Sequence, residues 1–101
     1  MARVLTVRRV RVAAEHAQAY QSVLGELAAR LEQRQQHLWA FRSRSDGESW
    51  LEFSEGADDA THRSAGPANA EERALEASLL RLATYQDDGR EIWDEVRPVQ
   101  P

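Results

Sequence analysis

One carboxylate stands among aromatic residues in the middle of the chain. Glu52 follows Trp50 by two positions, and Trp39, Phe41 and Trp93 lie in segments that read as strands of the same sheet. An aromatic-lined cavity with a few polar groups is the usual form of a small-molecule site. In such a site Glu52 is the general base, a carboxylate in a desolvated setting. Arg8 is a second polar group, and Trp39, Phe41, Trp50 and Trp93 are the walls that hold a substrate. The same aromatics have a structural role open to them, because such side chains also fill subunit interfaces. His62, in Ala60-Thr61-His62-Arg63-Ser64, suits acid or base work at a cavity mouth. Its other role is an exposed residue on a short surface helix.

Several chemistries find no support. The absence of cysteine removes thiolate metal sites, disulfide frameworks and cysteine nucleophiles together. No two of His16, His37 and His62 stand at metal-ligand spacing. No glycine-rich dinucleotide or phosphate loop occurs, and no serine sits in a nucleophile elbow. The reading is therefore a site without metal or cofactor.

The charge pattern points the same way. All 13 basic residues are Arg, and the formal net charge is −4. Residues 1–44 carry eight Arg against three acids, and residues 45–101 five Arg against fourteen acids. An acidic chain of this kind is not a general nucleic-acid binder. Arg8, Arg9 and Arg11 are either an anion patch or partners for acidic neighbours such as Glu52, Asp94 and Glu95. No apolar run is long enough for a membrane helix, and the first residues are too polar for a signal peptide, so a cytoplasmic protein is expected.

The elements that must position these groups can be read from period and punctuation. With 101 residues the expectation is a single domain over 1–101. Residues 3–12 alternate apolar side chains with Arg, as a half-buried strand does. The alternation slips at Arg8-Arg9, which predicts a β-bulge there. Residues 15–36 form a long helix with Tyr20, Leu24, Leu27 and Leu31 on one stripe. Residues 37–44 and 48–55 are strands around Asp46-Gly47, a two-residue hairpin signal that calls for positive φ at Gly47. That register places Leu38, Ala40, Leu51 and Phe53 on one face, and Trp39, Phe41, Trp50, Glu52 and Ser54 on the other. A short helix over 58–64 is followed by a second long helix over 70–86, capped by Asn69 with Glu72 at capping-box spacing. Leu75, Leu79 and Leu82 are its apolar stripe, and Gly89 suits its C-cap. A strand over 90–97 ends the chain. The order β-α-β-β-α-β is α+β and ferredoxin-like: four antiparallel strands in order 4-1-3-2 with both helices on one face.

That order, at this length, resembles the antibiotic-biosynthesis-monooxygenase-like domains of the dimeric α/β-barrel superfamily. Trp50-Leu51-Glu52-Phe53, then Ala60-Thr61-His62-Arg63-Ser64 and Pro67, resemble that family's third strand running into a helix with an Ala-x-His and a Ser/Pro break. The resemblance implies a homodimer whose sheets face each other across a barrel. It also implies a cofactor-free oxidation of a planar aromatic compound, as some relatives carry out. Haem-cleaving relatives use an Asn on the first strand, and the only Asn here is Asn69. The other role the fold allows is a non-catalytic homodimeric ligand-binding or interaction module.

Overall fold

In the computed structural model, residues 3–56, 67–86, 91–96 and 98 are described. Strand β1 (Val4–Arg11) forms the spine of the sheet. A 3-10 turn, Ala14–His16, leads into helix α1 (Ala17–Glu32). The hairpin strands are β2 (His37–Arg42) and β3 (Ser49–Gly56), and helix α2 spans Ala70–Leu82. Two short strands, β4 (Thr84–Tyr85) and β5 (Glu91–Asp94), both pair with β1. The sheet is antiparallel in order β2-β3-β1-β4, with β5 on the same outer edge of β1. This is the expected 4-1-3-2 sheet with its fourth strand in two pieces. The expected helix over 58–64, the C-cap at Gly89 and most of the tail lie outside the described residues.

The slip at Arg8-Arg9 is resolved without the expected bulge. β1 pairs β3 one-to-one from Val4↔Gly56 to Arg11↔Ser49. Val10 and Val12 therefore face the helices, while Leu5 and Val7 face the other side. The irregularity appears on the opposite edge. Val10 pairs Tyr85, Gln86 N–H donates to Arg9 O at 3.0 Å, and Val7 pairs Glu91, so the register with β1 changes between β4 and β5.

The hairpin also departs from expectation, and here the consequence is large. Ser43 N–H donates to Ser49 O at 2.8 Å, so the loop is longer than Asp46-Gly47. The Asp46 side chain accepts from Glu48 N–H at 3.1 Å in an Asx turn, and Gly47 is not in the left-handed region. Arg11 bonds Asp46 at 3.0 Å and Glu48 at 3.2 Å. The Arg11 hydrogen bond, then the Glu48 backbone N–H, hold the Asp46 carboxyl below its ordinary range. Pairing runs Trp39↔Phe53, Ala40↔Glu52 and Phe41↔Leu51, one residue away from the expected register. Directly opposite residues share a face. Leu38, Ala40, Trp50, Glu52 and Ser54 consequently lie toward the helices. Trp39, Phe41, Leu51 and Phe53 lie on the open side.

The core sits between the sheet and the helices. Val10, Val12, Tyr20, Leu24, Leu27, Leu31, Trp50 and Leu79 form it, with Leu75 and Leu82 half-buried against it. The helix stripes expected from the sequence are thus the packing faces. α2 begins at Asn69, whose side chain accepts from Glu72 N–H at 2.9 Å. The Glu72 carboxylate accepts from Ala68 N–H and, at 2.6 Å, from Arg34, which ties α2 to the end of α1. α2 stops at Leu82, because Ala83 is already extended, and Tyr85 is therefore a strand residue rather than a helical one.

α1 ends in a Schellman-type turn: Gln36 N–H donates to Leu31 O across Gln35, which has φ 64°. A side chain there is strained and Gly is not. Gln35→Gly is expected to raise stability by about 1 kcal/mol. Urea unfolding checks it, and a loss of stability would mean that the turn is held by the Gln35 side chain.

Candidate active site

The register carries Glu52 into the interior. It is 1% exposed, in the middle of the helix-facing side of β3. A buried carboxylate requires donors. Two arrive from separate elements: Tyr20, from the first turns of α1, donates to Glu52 Oε2 at 2.7 Å. Tyr85, from β4, donates to the same oxygen at 2.5 Å. Tyr20 is there because it belongs to the apolar stripe of α1, and its ring meets Trp50 edge-on at 5.2 Å. Tyr85 is there because β4 pairs Val10↔Tyr85 beside the helix-facing row of β1.

Arg8 completes the group. It is the cross-strand partner of Glu52 on the same side of the sheet. Its guanidinium carbon lies 3.9 Å from the centre of the Tyr85 ring, a cation–π contact. Among the described residues no carboxylate forms a salt bridge with Arg8. A carboxylate, two phenols and one unpaired cation therefore meet on the buried side of the sheet. The next cross-strand pair, Thr6↔Ser54, is also polar and buried, and neither hydroxyl has a hydrogen-bond partner among the described residues. Unsatisfied buried hydroxyls are uncommon, and four adjacent polar positions in a covered sheet face are a departure from ordinary core composition.

The expected site residues divide into two groups. Glu52, Arg8 and Trp50 come together on the helix side. Trp39, Phe41 and Trp93 are on the open side, Trp93 through its pairing with Leu5. The sheet lies between them, so the single pocket walled by all four aromatics does not form. The physical reason is the hairpin register, which turns Trp50 and Glu52 away from Trp39 and Phe41. His62 lies outside the described residues. Tyr20 and Tyr85 were the missing members. The signal for Tyr20 was present, because a tyrosine inside a leucine stripe brings a hydroxyl into the core that requires a partner. For Tyr85 the obscuring factor was the helix boundary. Among the described residues, no group of three His, Asp or Glu could hold a metal ion.

Chemically, the cluster offers a proton acceptor that works through a phenol, beside a fixed positive charge. Such a pair suits removal of a proton and stabilisation of the anion left behind.

Comparison with known proteins places the fold. The sequence matches no protein-family model and no curated protein. Solved structures do match over nearly the whole chain. A crystal structure of SnoaB, a cofactor-independent oxygenase from Streptomyces nogalater, superposes with a TM-score of 0.76 at 19% identity, over 98% of this chain and 97% of that one. A protein from Bordetella bronchiseptica, provisionally named an antibiotic biosynthesis monooxygenase, gives 0.71 at 8% identity over 98% and 100%. One from Chloroflexus aurantiacus with the same provisional name gives 0.72 at 12% identity over 99% and 98%. The chain thus has the ferredoxin-like α+β fold of the antibiotic-biosynthesis-monooxygenase-like proteins.

Tyr20→Phe and Tyr85→Phe are each expected to cost about 1–3 kcal/mol, the usual loss for a buried hydrogen bond to a carboxylate. Combined with Glu52→Gln, each should be less than additive, because the residues share one network. Double-mutant cycles in urea measure this, and additive effects would show that the three groups do not act together.

Proposed function

We propose that the chain is a cofactor-independent, monooxygenase-like enzyme acting on a small planar aromatic compound, and that it works as a homodimer. The observation that carries the catalytic part is the buried Glu52, bonded by Tyr20 and Tyr85 and flanked by Arg8, which pairs with no carboxylate among the described residues. A hydroxylated ring that loses its phenolic proton becomes an electron-rich anion, and such anions react with molecular oxygen without a metal or flavin. In this reading Glu52 takes the proton through the Tyr85 hydroxyl, and Arg8 holds the anion. The fold shared with SnoaB, an oxygenase that uses no cofactor, supports the reading. Its test is oxygen consumption with a panel of planar phenols and quinols. Uptake is expected with at least one of them, and Glu52→Gln should slow it by about 10²–10⁴-fold. Absence of uptake across the panel would remove the reading for this substrate class.

A second reading is favoured by the closure of the cluster, since Glu52 is 1% exposed. Here the chain is a non-catalytic homodimer that binds a ligand or a partner, and the Glu52 network organises its core.

Both readings share the dimer. The open face of the sheet carries Trp39, Phe41 and Trp93 at 43%, 58% and 56% exposure. On the same face Leu5, Val7, Leu51, Phe53 and Trp93, with Arg9 and Glu91, line a shallow hollow of about 350 Å³. Such a surface is larger than a soluble monomer usually leaves in water. A twofold copy of the same face covers it in a self-complementary way. Sedimentation at micromolar concentration is expected to give twice the mass of one chain, and Phe41→Asp should shift it toward one. A native particle of one chain's mass would overturn the assembly.

A further inference from the structure

The open face of the sheet is not flat. Its middle is aliphatic and low: Val7 of β1 is 8% exposed, and Leu5 of β1 and Leu51 of β3 are half-buried by their neighbours. Its edges stand high. Trp39 and Phe41 rise from β2 on one side, and Trp93 from β5 on the other. The Phe41 ring meets Phe53 edge-on at 5.4 Å, and the His37 and Trp39 rings stack at 5.8 Å, so the β2 wall is braced from within the chain. The face is a trough that runs along β1 and β3, with aromatic walls and an aliphatic floor.

Two such faces brought together do not touch everywhere. Sheets whose facing side chains are aliphatic pack about 10 Å apart. Indole and phenyl rings on both walls hold them further apart than that, so the aliphatic floors do not meet. The hollow on the floor measures about 350 Å³ in one chain, and two of them face to face enclose about twice that, which is the size of a small-molecule pocket.

The lining sets the chemistry. Besides its apolar side chains the hollow has two charged members, Arg9 and Glu91. Glu91 stands opposite Val7, two residues along β1 from Arg9 and on the same face. Among the described residues neither forms a salt bridge. Their charges offset each other, so the enclosed space has no surplus of either sign. A charged ligand would lose its hydration there without a net compensating charge, which is costly. An uncharged one meets apolar surface, one donor and one acceptor.

We propose that the two troughs of a homodimer enclose a binding chamber for an uncharged, largely aliphatic molecule with one polar group, such as a medium-chain alcohol, ketone or ester. Each copy supplies half of the wall, so the site is incomplete in one chain. The inference rests on the homodimer of the proposed function. It uses no part of the Glu52 chemistry, which lies on the other side of the sheet.

The test titrates the full chain with decanol and with decanoate, while leucine and valine methyl resonances are followed and sedimentation reports the assembly. Decanol is expected to shift Leu5, Val7 and Leu51 and to leave Leu24 and Leu38, on the helix side, in place. It should bind about tenfold more tightly than decanoate. Val7→Phe and Leu51→Trp fill the floor, and each should abolish the shifts of the remaining floor residues while the particle keeps twice the mass of one chain. Should one of them fail to fold, the other serves, and the methyl map of the native chain decides if both fail. A native dimer without shifts, shifts at Leu24 or Leu38 instead, shifts that survive the filling variants, or equal binding of decanoate would overturn the chamber and leave the dimer standing. A native particle of one chain's mass would overturn the dimer, and the chamber with it.

Discussion

The unbroken ladder between β1 and β3 decides what each face of this sheet contains. Side chains alternate across a strand, so one residue of slippage would exchange the two faces. With Val10 opposite Trp50 and Arg8 opposite Glu52, the tryptophan and the carboxylate have to enter the space under the helices. Their entry in turn fixes what the helices must bring. A carboxylate in that space requires hydroxyl donors, and the tyrosines of α1 and β4 supply them. The leucines of α1 and α2 fill the remaining volume around Trp50.

Much of the architecture was legible in the sequence because it rests on periodicity. The leucine stripes, the Asn69 cap and the strand order each follow from a local pattern, and the helix faces pack as those patterns require. The functional face was less legible. Asp46-Gly47 is a strong signal for a two-residue loop, yet the Asp46 side chain satisfies Glu48 N–H and two side chains engage Arg11. Those contacts favour the longer loop, and they are tertiary, so no local rule carries them. The one-residue difference moved Trp50 and Glu52 from the open face to the covered one. Similarly, the slip at Arg8-Arg9 predicts a bulge in β1, whereas β1 and β3 pair one-to-one and the register changes on the other edge, between β4 and β5. The sequence marked the irregularity but not the side on which it falls.

The polar block at Thr6, Arg8, Glu52 and Ser54 is costly as structure. Aliphatic residues of similar size would bury more apolar area and leave no hydroxyl unsatisfied. Breaking one partner of such a group is damaging, while replacing all of it by well-packed apolar side chains is often neutral or favourable. Under the proposed function, this arrangement trades stability for a place where a proton and an anion can be handled. The open face shows a different economy, since its aromatics are apolar and simply lack cover.

The divided outer strand bears on how this scaffold can diversify. β4 and β5 are separate strands, joined in the chain between Tyr85 and Glu91, and their pairs with Val10 and Val7 stand on either side of Arg8 and Arg9 along β1. Connections of this kind accept changes of length at small entropic expense, because closure entropy grows only slowly with loop size. Insertions or deletions at that point would leave the β2-β3-β1 ladder and both helices in register. They would enter the chain directly after Tyr85, a member of the candidate site, while the strands that carry Arg8 and Glu52 stay in register, so changes there need no new fold.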